Sequence, residues 1–92
     1  MSYQLLYSAT SKNQIRKLHP QIKPVVKSKI EKLQKTPFCG KWLEKELSGY
    51  LSMRAKRFRV IYKINDMDQT IEIHHVGPRK NIYELFKEFI AK

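Results

Sequence analysis

Between residues 51 and 75 the chain alternates apolar and polar side chains at period two, three times over. Leu51, Met53 and Ala55 alternate in the first run, Phe58, Val60, Tyr62 and Ile64 in the second, and Ile71, Ile73 and His75 in the third. Successive side chains of a strand point to opposite faces, so each run buries one face and offers the other. Asp66-Met67-Asp68 is the turn before the third run. Strands joined by short turns pair antiparallel, so the segment is predicted to form a meander.

The remaining elements must cover that sheet. Tyr3, Leu5 and Tyr7 alternate with Gln4, Leu6 and Ser8, giving a first strand over residues 2 to 8. Ser8 or Ser11 caps a short helix through Leu18. Pro20 is placed to open a second helix, and Pro24 argues for a start a few residues later. Ile22, Val26, Ile30 and Leu33 form its apolar face, and Thr36-Pro37 stops it. Residues 38 to 46 read as a loop containing Gly40. Asn81 and Glu84 have the spacing of a capping box, followed by a stripe of Ile82, Leu85, Phe86, Phe89 and Ile90. The expected architecture is one domain over residues 1–92, an α+β fold in the order β-α-α-β-β-β-α. It has a small antiparallel sheet of about four strands with the helices on one face.

Charge narrows the partners. The 92 residues hold 19 Lys and Arg against 8 Asp and Glu, a formal charge of +11. Such an excess repels itself in the compact state and points to a partner that is nucleic acid, an anionic membrane or an acidic protein. No apolar run approaches a spanning helix, and the first residues lack the pattern of a signal peptide, so no membrane partner and a cytoplasmic location are expected. A single cysteine, Cys39, allows no intrachain disulfide and fits a reducing compartment. No His/Cys spacing suggests a metal and no glycine-rich loop suggests a nucleotide, so no cofactor is expected.

Alternation then sorts the sheet's second face. With Phe58, Val60 and Tyr62 inward, Arg57, Arg59, Ile61 and Lys63 point the other way, joined by Tyr50, Ser52, Arg54 and Lys56 and by Glu72 and His74. His75 is expected inward. Arg79, Lys80 and Tyr83 arrive at the edge from the strand-to-helix junction VGPRKNIYELF. Cations interleaved with aromatic rings on an exposed sheet suit single-stranded nucleic acid. A charge run of this kind also serves as a solvated, aggregation-resistant face. Arginine at the centre favours the phosphate-binding reading, because its planar fork matches phosphate in a bidentate way. His74 is a candidate acid or base, with an inert surface histidine as the alternative. Glu72 is expected to pair with Arg59.

The ordered set Leu47, Gly49, Arg54, Phe58-Arg59, Tyr62, Val76-Gly77, Arg79 and Tyr83 resembles the RelE/ParE superfamily of toxins from type II toxin–antitoxin pairs. The resemblance implies one of two activities. RelE-like members are ribosome-dependent mRNA endoribonucleases that cut without a metal, the ribose 2′-hydroxyl attacking the adjacent phosphate. ParE-like members share the fold and inhibit DNA gyrase. The nuclease reading places Arg59, Arg79, Tyr83 and His74 in catalysis and Arg54, Lys56, Arg57, Lys80 and Tyr50 in RNA binding. It implies a cognate antitoxin as partner, together with the ribosome and mRNA, and contact with operator DNA only through the antitoxin. Two positions depart from the pattern. Ser52 falls where relatives offer a lysine base, with Lys56, Arg54 or His74 as substitutes, and Pro78 precedes Arg79 where many relatives carry histidine or lysine. The general base therefore stays unassigned.

Overall fold

The computed structural model describes residues 2–91. A five-stranded sheet runs through the molecule in the order β1-β5-β4-β3-β2. Its strands are β1 (Gln4–Tyr7), β2 (Lys41–Trp42), β3 (Leu51–Ala55), β4 (Phe58–Asn65) and β5 (Thr70–Pro78). The helices are α1 (Ala9–Arg16), α2 (Lys23–Lys32) and α3 (Ile82–Ile90). The α+β class and element order match expectation, with three refinements. The two-residue β2 lies within the expected loop and makes a fifth strand. The β1–β5 pair is parallel, so the sheet is mixed. The helices occupy both faces rather than one.

Local chemistry explains the elements. Ser8 caps α1, its Oγ accepting from Ser11 N at 3.0 Å and donating to His74 O. Helix α2 starts at Lys23 with Pro24 in its first turn, where the missing N–H has no helical partner to lose. Val26, Ile30 and Leu33 are fully buried against Leu51, Val60, Tyr62, Ile71 and Ile73. Burying one such side chain stabilises the fold by about 1.5–3 kcal/mol. Helix α3 packs on the opposite face. Its Ile82 and Phe86 bury against Ile61 and Leu47, with Leu43, Tyr50 and Tyr83 at the margin. Ile61, which alternation assigned to the open face, is therefore a core residue of a second cluster.

A bulge sets the register of β5. Arg59 pairs with Gly77, Val60 with Val76 and Ile61 with His75, but Tyr62 pairs with Ile73. His74 is the extra residue, and one extra residue reverses the parity of everything beyond it. His75 thus faces α3, at 5.3 Å from the Phe86 ring and 5.4 Å from Phe89, rather than the α1–α2 core. Asn81 stands at the N-cap of α3 but makes no side-chain capping bond, so the capping box is not formed.

The other edge is built on close approach. Tyr62 is fully buried, and its hydroxyl donates to Pro37 O at 2.8 Å and accepts from Gly40 N at 3.1 Å. Burial pushes the phenol up to about 12, which keeps it a donor. A Cβ on Gly40 would lie 2.4 Å from that hydroxyl and 2.9 Å from Ser52 O. Only glycine lets the chain enter β2 this close to β3.

Candidate active site

Ser52 gathers the site. Its side chain is buried on β3, beneath the first turn of α3. Tyr83 from α3 donates to Ser52 Oγ at 3.0 Å, and Arg59 Nη1 from β4 reaches the same oxygen at 3.3 Å. A hydroxyl has two acceptor lone pairs, so one serine can orient both groups. The phenol oxygen of Tyr83 keeps its own lone pairs for another donor. The guanidinium of Arg59, half-buried, keeps most of its N–H groups for an anion.

More cations border this centre. Arg54 is the register partner of Arg59 and shares its face, with its Nε donating to Lys56 O at 3.2 Å. Lys56 and Arg57 form the tight turn between β3 and β4 rather than positions on the sheet face. Lys56 adopts φ 56°, a conformation that favours glycine. Arg79 N donates to Arg57 O at 2.8 Å, which ties the chain after β5 to that turn. Arg79 and Lys80 are exposed there. Gly77 lies between Arg59 and Ile82, so the first residue of α3 closes over the strand.

His74 and Tyr50 sit elsewhere. His74 Nε2 is 3.1 Å from Glu72 Oε1, and its ring meets Tyr50 edge-on at 5.4 Å. Glu72 pairs in register with Lys63, so the expected Glu72–Arg59 contact is replaced. Arg59 neighbours Gly77, three residues along β5 from His74. Tyr50 packs edge-on to Phe86 at 5.0 Å, and Lys63 Nζ lies 5.6 Å from its ring centre. Its ring is half-buried in the second core cluster. The structure thus joins Arg59 and Tyr83 through Ser52 Oγ, brings Arg54 and the Arg79 corner alongside, and holds His74 with Tyr50 one helical turn further along α3. Sequence reading placed Ser52 on the same face as Arg59 by alternation and otherwise noted it as a departure from a pattern. Its role is visible in the cross-strand register and nowhere in the local sequence. Among the described residues no group of three His, Cys, Asp or Glu is placed to hold a metal ion. No described helix is long and apolar enough to cross a membrane.

A mixed five-stranded sheet with helices on both faces, a basic corner and a tyrosine delivered from the last helix is the arrangement this chain presents. The chain belongs to the family described as ParE-like toxin of type II bacterial toxin–antitoxin systems, whose model matches residues 5–87. It is 34% identical over 85 residues to Toxin RelG of Mycobacterium tuberculosis (strain ATCC 25618 / H37Rv), covering 90% of this chain and 98% of that one. Its fold superposes with a TM-score of 0.78 on the toxin–antitoxin complex RelBE2 from M. tuberculosis, at 32% identity over 86% of this chain and 100% of the other. It also matches the archaeal RelE–RelB complex from Pyrococcus horikoshii OT3 in fold, with a TM-score of 0.74 at 22% identity, covering 87% and 98%.

Proposed function

We propose that this toxin is a ribosome-dependent mRNA endoribonuclease. The observation that carries the reading is the convergence of Arg59 and Tyr83 on Ser52 Oγ, which fixes a guanidinium and a phenol side by side on a basic face. Cleavage by the ribose 2′-oxygen needs the 2′-hydroxyl oriented and negative charge on the phosphate stabilised. Tyr83, donating to Ser52, offers its lone pairs to the 2′-hydroxyl. Arg59 offers its free N–H groups to the non-bridging oxygens, and Arg79 supplies further charge from the corner. The 2′-hydroxyl loses its proton to water as its oxygen bonds to phosphorus, the bond to the 5′-oxygen breaks, and that oxygen takes a proton from water, leaving a cyclic phosphate and a free 5′-hydroxyl. Protein cations carry the charge in this scheme. An antitoxin, the partner seen with the related M. tuberculosis and archaeal toxins, covers the basic face and holds the activity in check, and operator DNA is contacted through it.

The test is 5′-end mapping of messenger RNA translated by purified ribosomes, with the wild-type chain beside Arg59→Ala and Arg79→Ala. New 5′-hydroxyl ends within codons, reduced about 10²–10³-fold in rate by Arg59→Ala, support the reading. Intact messenger RNA together with inhibited DNA supercoiling selects the gyrase-directed alternative within the same family.

A further inference from the structure

Lys41 opens the edge strand β2, and its register partner is Ser52. Directly opposed residues of an antiparallel pair share a face, with Cβ atoms about 5 Å apart. Ser52 faces α3, because its Oγ meets Tyr83. Lys41 therefore emerges on the same face as Tyr83 and Arg59, next to the oxygen that holds both. The next residue, Trp42, pairs with Leu51 and turns to the opposite face. The placement is enforced: Gly40 is clamped by the Tyr62 hydroxyl and has no room for a Cβ, so Lys41 cannot slide along β3. Lys41 is exposed and, among the described residues, makes no ion pair. It is a cation held in place with no acidic partner of its own.

We propose that Lys41 is a phosphate-contacting residue of the active site, supplied from the edge strand to the RNA backbone that Arg59 and Tyr83 engage. The inference rests on the nuclease reading for its catalytic part. Its ammonium bonds a phosphate oxygen on the side of Ser52 away from Arg59, so the two cations bracket the strand. A flexible lysine contributes here as a point charge, whereas Arg59 contributes fixed geometry.

The experiment has a binding arm and a cleavage arm. Anisotropy is measured across a salt series with a labelled hexanucleotide whose 2′-oxygens are methylated and cannot attack. Neutralising one phosphate contact to a single strand lowers the slope of log K against log salt by about 0.7. Lys41→Gln is expected to show that drop, Lys41→Arg to keep the wild-type slope, and Lys29→Gln on α2 to leave it unchanged. In ribosome-dependent cleavage, Lys41→Gln is expected to slow the cut about tenfold or more and Lys41→Arg to restore most of it. A wild-type slope for Lys41→Gln, or an equal drop for Lys29→Gln, overturns the proposal. A wild type that never cuts, with the slope lost only in Lys41→Gln, overturns the nuclease reading and leaves the phosphate contact standing. Unchanged melting temperatures for the variants show that the fold is intact.

Discussion

Tyr83 on α3 and Ser52 on β3, 31 residues apart in sequence, are joined by a 3.0 Å hydrogen bond between their hydroxyls. The bond couples helix docking to the site, because α3 sits on the sheet through Ile82 and Phe86 on the same turn. Ser52→Ala removes the shared acceptor of Tyr83 and Arg59 and leaves both free to rotate. Cleavage is expected to fall about tenfold or more, as a misplaced group costs more than its own bond. Stability falls by about 1 kcal/mol, the usual net worth of a hydrogen bond. Single-turnover cleavage and urea unfolding measure the two effects separately, and an unchanged cleavage rate would remove Ser52 from the site.

Acid should loosen the packing of α3. His75 is buried under Phe86 and Phe89, and its Nδ1 has no hydrogen-bond partner among the described residues. Burial, more than the neighbouring His74, pulls its pKa below the ordinary value, so the folded state holds the neutral ring. The unfolded chain then binds more protons below about pH 6.5, and stability drops as pH falls from there toward the folded value. The contribution is fully present above about pH 6.5. The charged groups nearest in the chain are His74 and Glu72, which pair with each other at 3.1 Å. His75→Phe is expected to flatten the slope of unfolding free energy between pH 7 and 5, measured by denaturant titration at each pH.

Tyr62→Phe tests the clamp that places the edge strand. The variant leaves Pro37 O and Gly40 N without their partner. The expected cost is about 1–3 kcal/mol, the penalty for orphaned buried polar groups. Hydrogen exchange at Gly40 and Lys41 should accelerate more than at the centre of β4, because the loss is local to β2.

Lys56→Gly separates strain from charge. At φ 56° a lysine carries a steric cost that glycine lacks, of about 1 kcal/mol. The variant should melt higher than wild type while binding RNA more weakly at low salt. Calorimetry and the salt series read the two effects in opposite directions. A lower melting temperature would show that the lysine stem contributes more packing than its backbone costs.

Phe86→Ala should break the link between core and site. The ring is 1% exposed and contacts Tyr50, His74 and His75. Truncating a buried phenylalanine typically costs 3–5 kcal/mol. Near-ultraviolet circular dichroism and cleavage should decline together as α3 detaches, while the α1–α2 core, built from other residues, persists.

The sequence by itself determined the class of fold, the antiparallel meander and the apolar faces of the helices. Those features are written in local periodicity: Val26, Ile30 and Leu33 recur at helical spacing and Val60, Tyr62 and Ile64 at strand spacing. It also singled out Arg59, Arg79 and Tyr83 from an ordered pattern. Alternation separated Val60 and Tyr62 from Ser52 and Arg59, and tertiary structure decided what covers the second face and where the alternation breaks. One extra residue at His74 reverses the parity of β5, and a histidine signals neither face, so alternation could not place His75. The stripe of α3 is apolar whichever side of the sheet it covers, so its docking against Ile61 was invisible along the chain. Lys41, Ser52 and Tyr83 come together through pairings across 11 and 31 residues. Such contacts arise from register and packing between elements, and no local pattern encodes them.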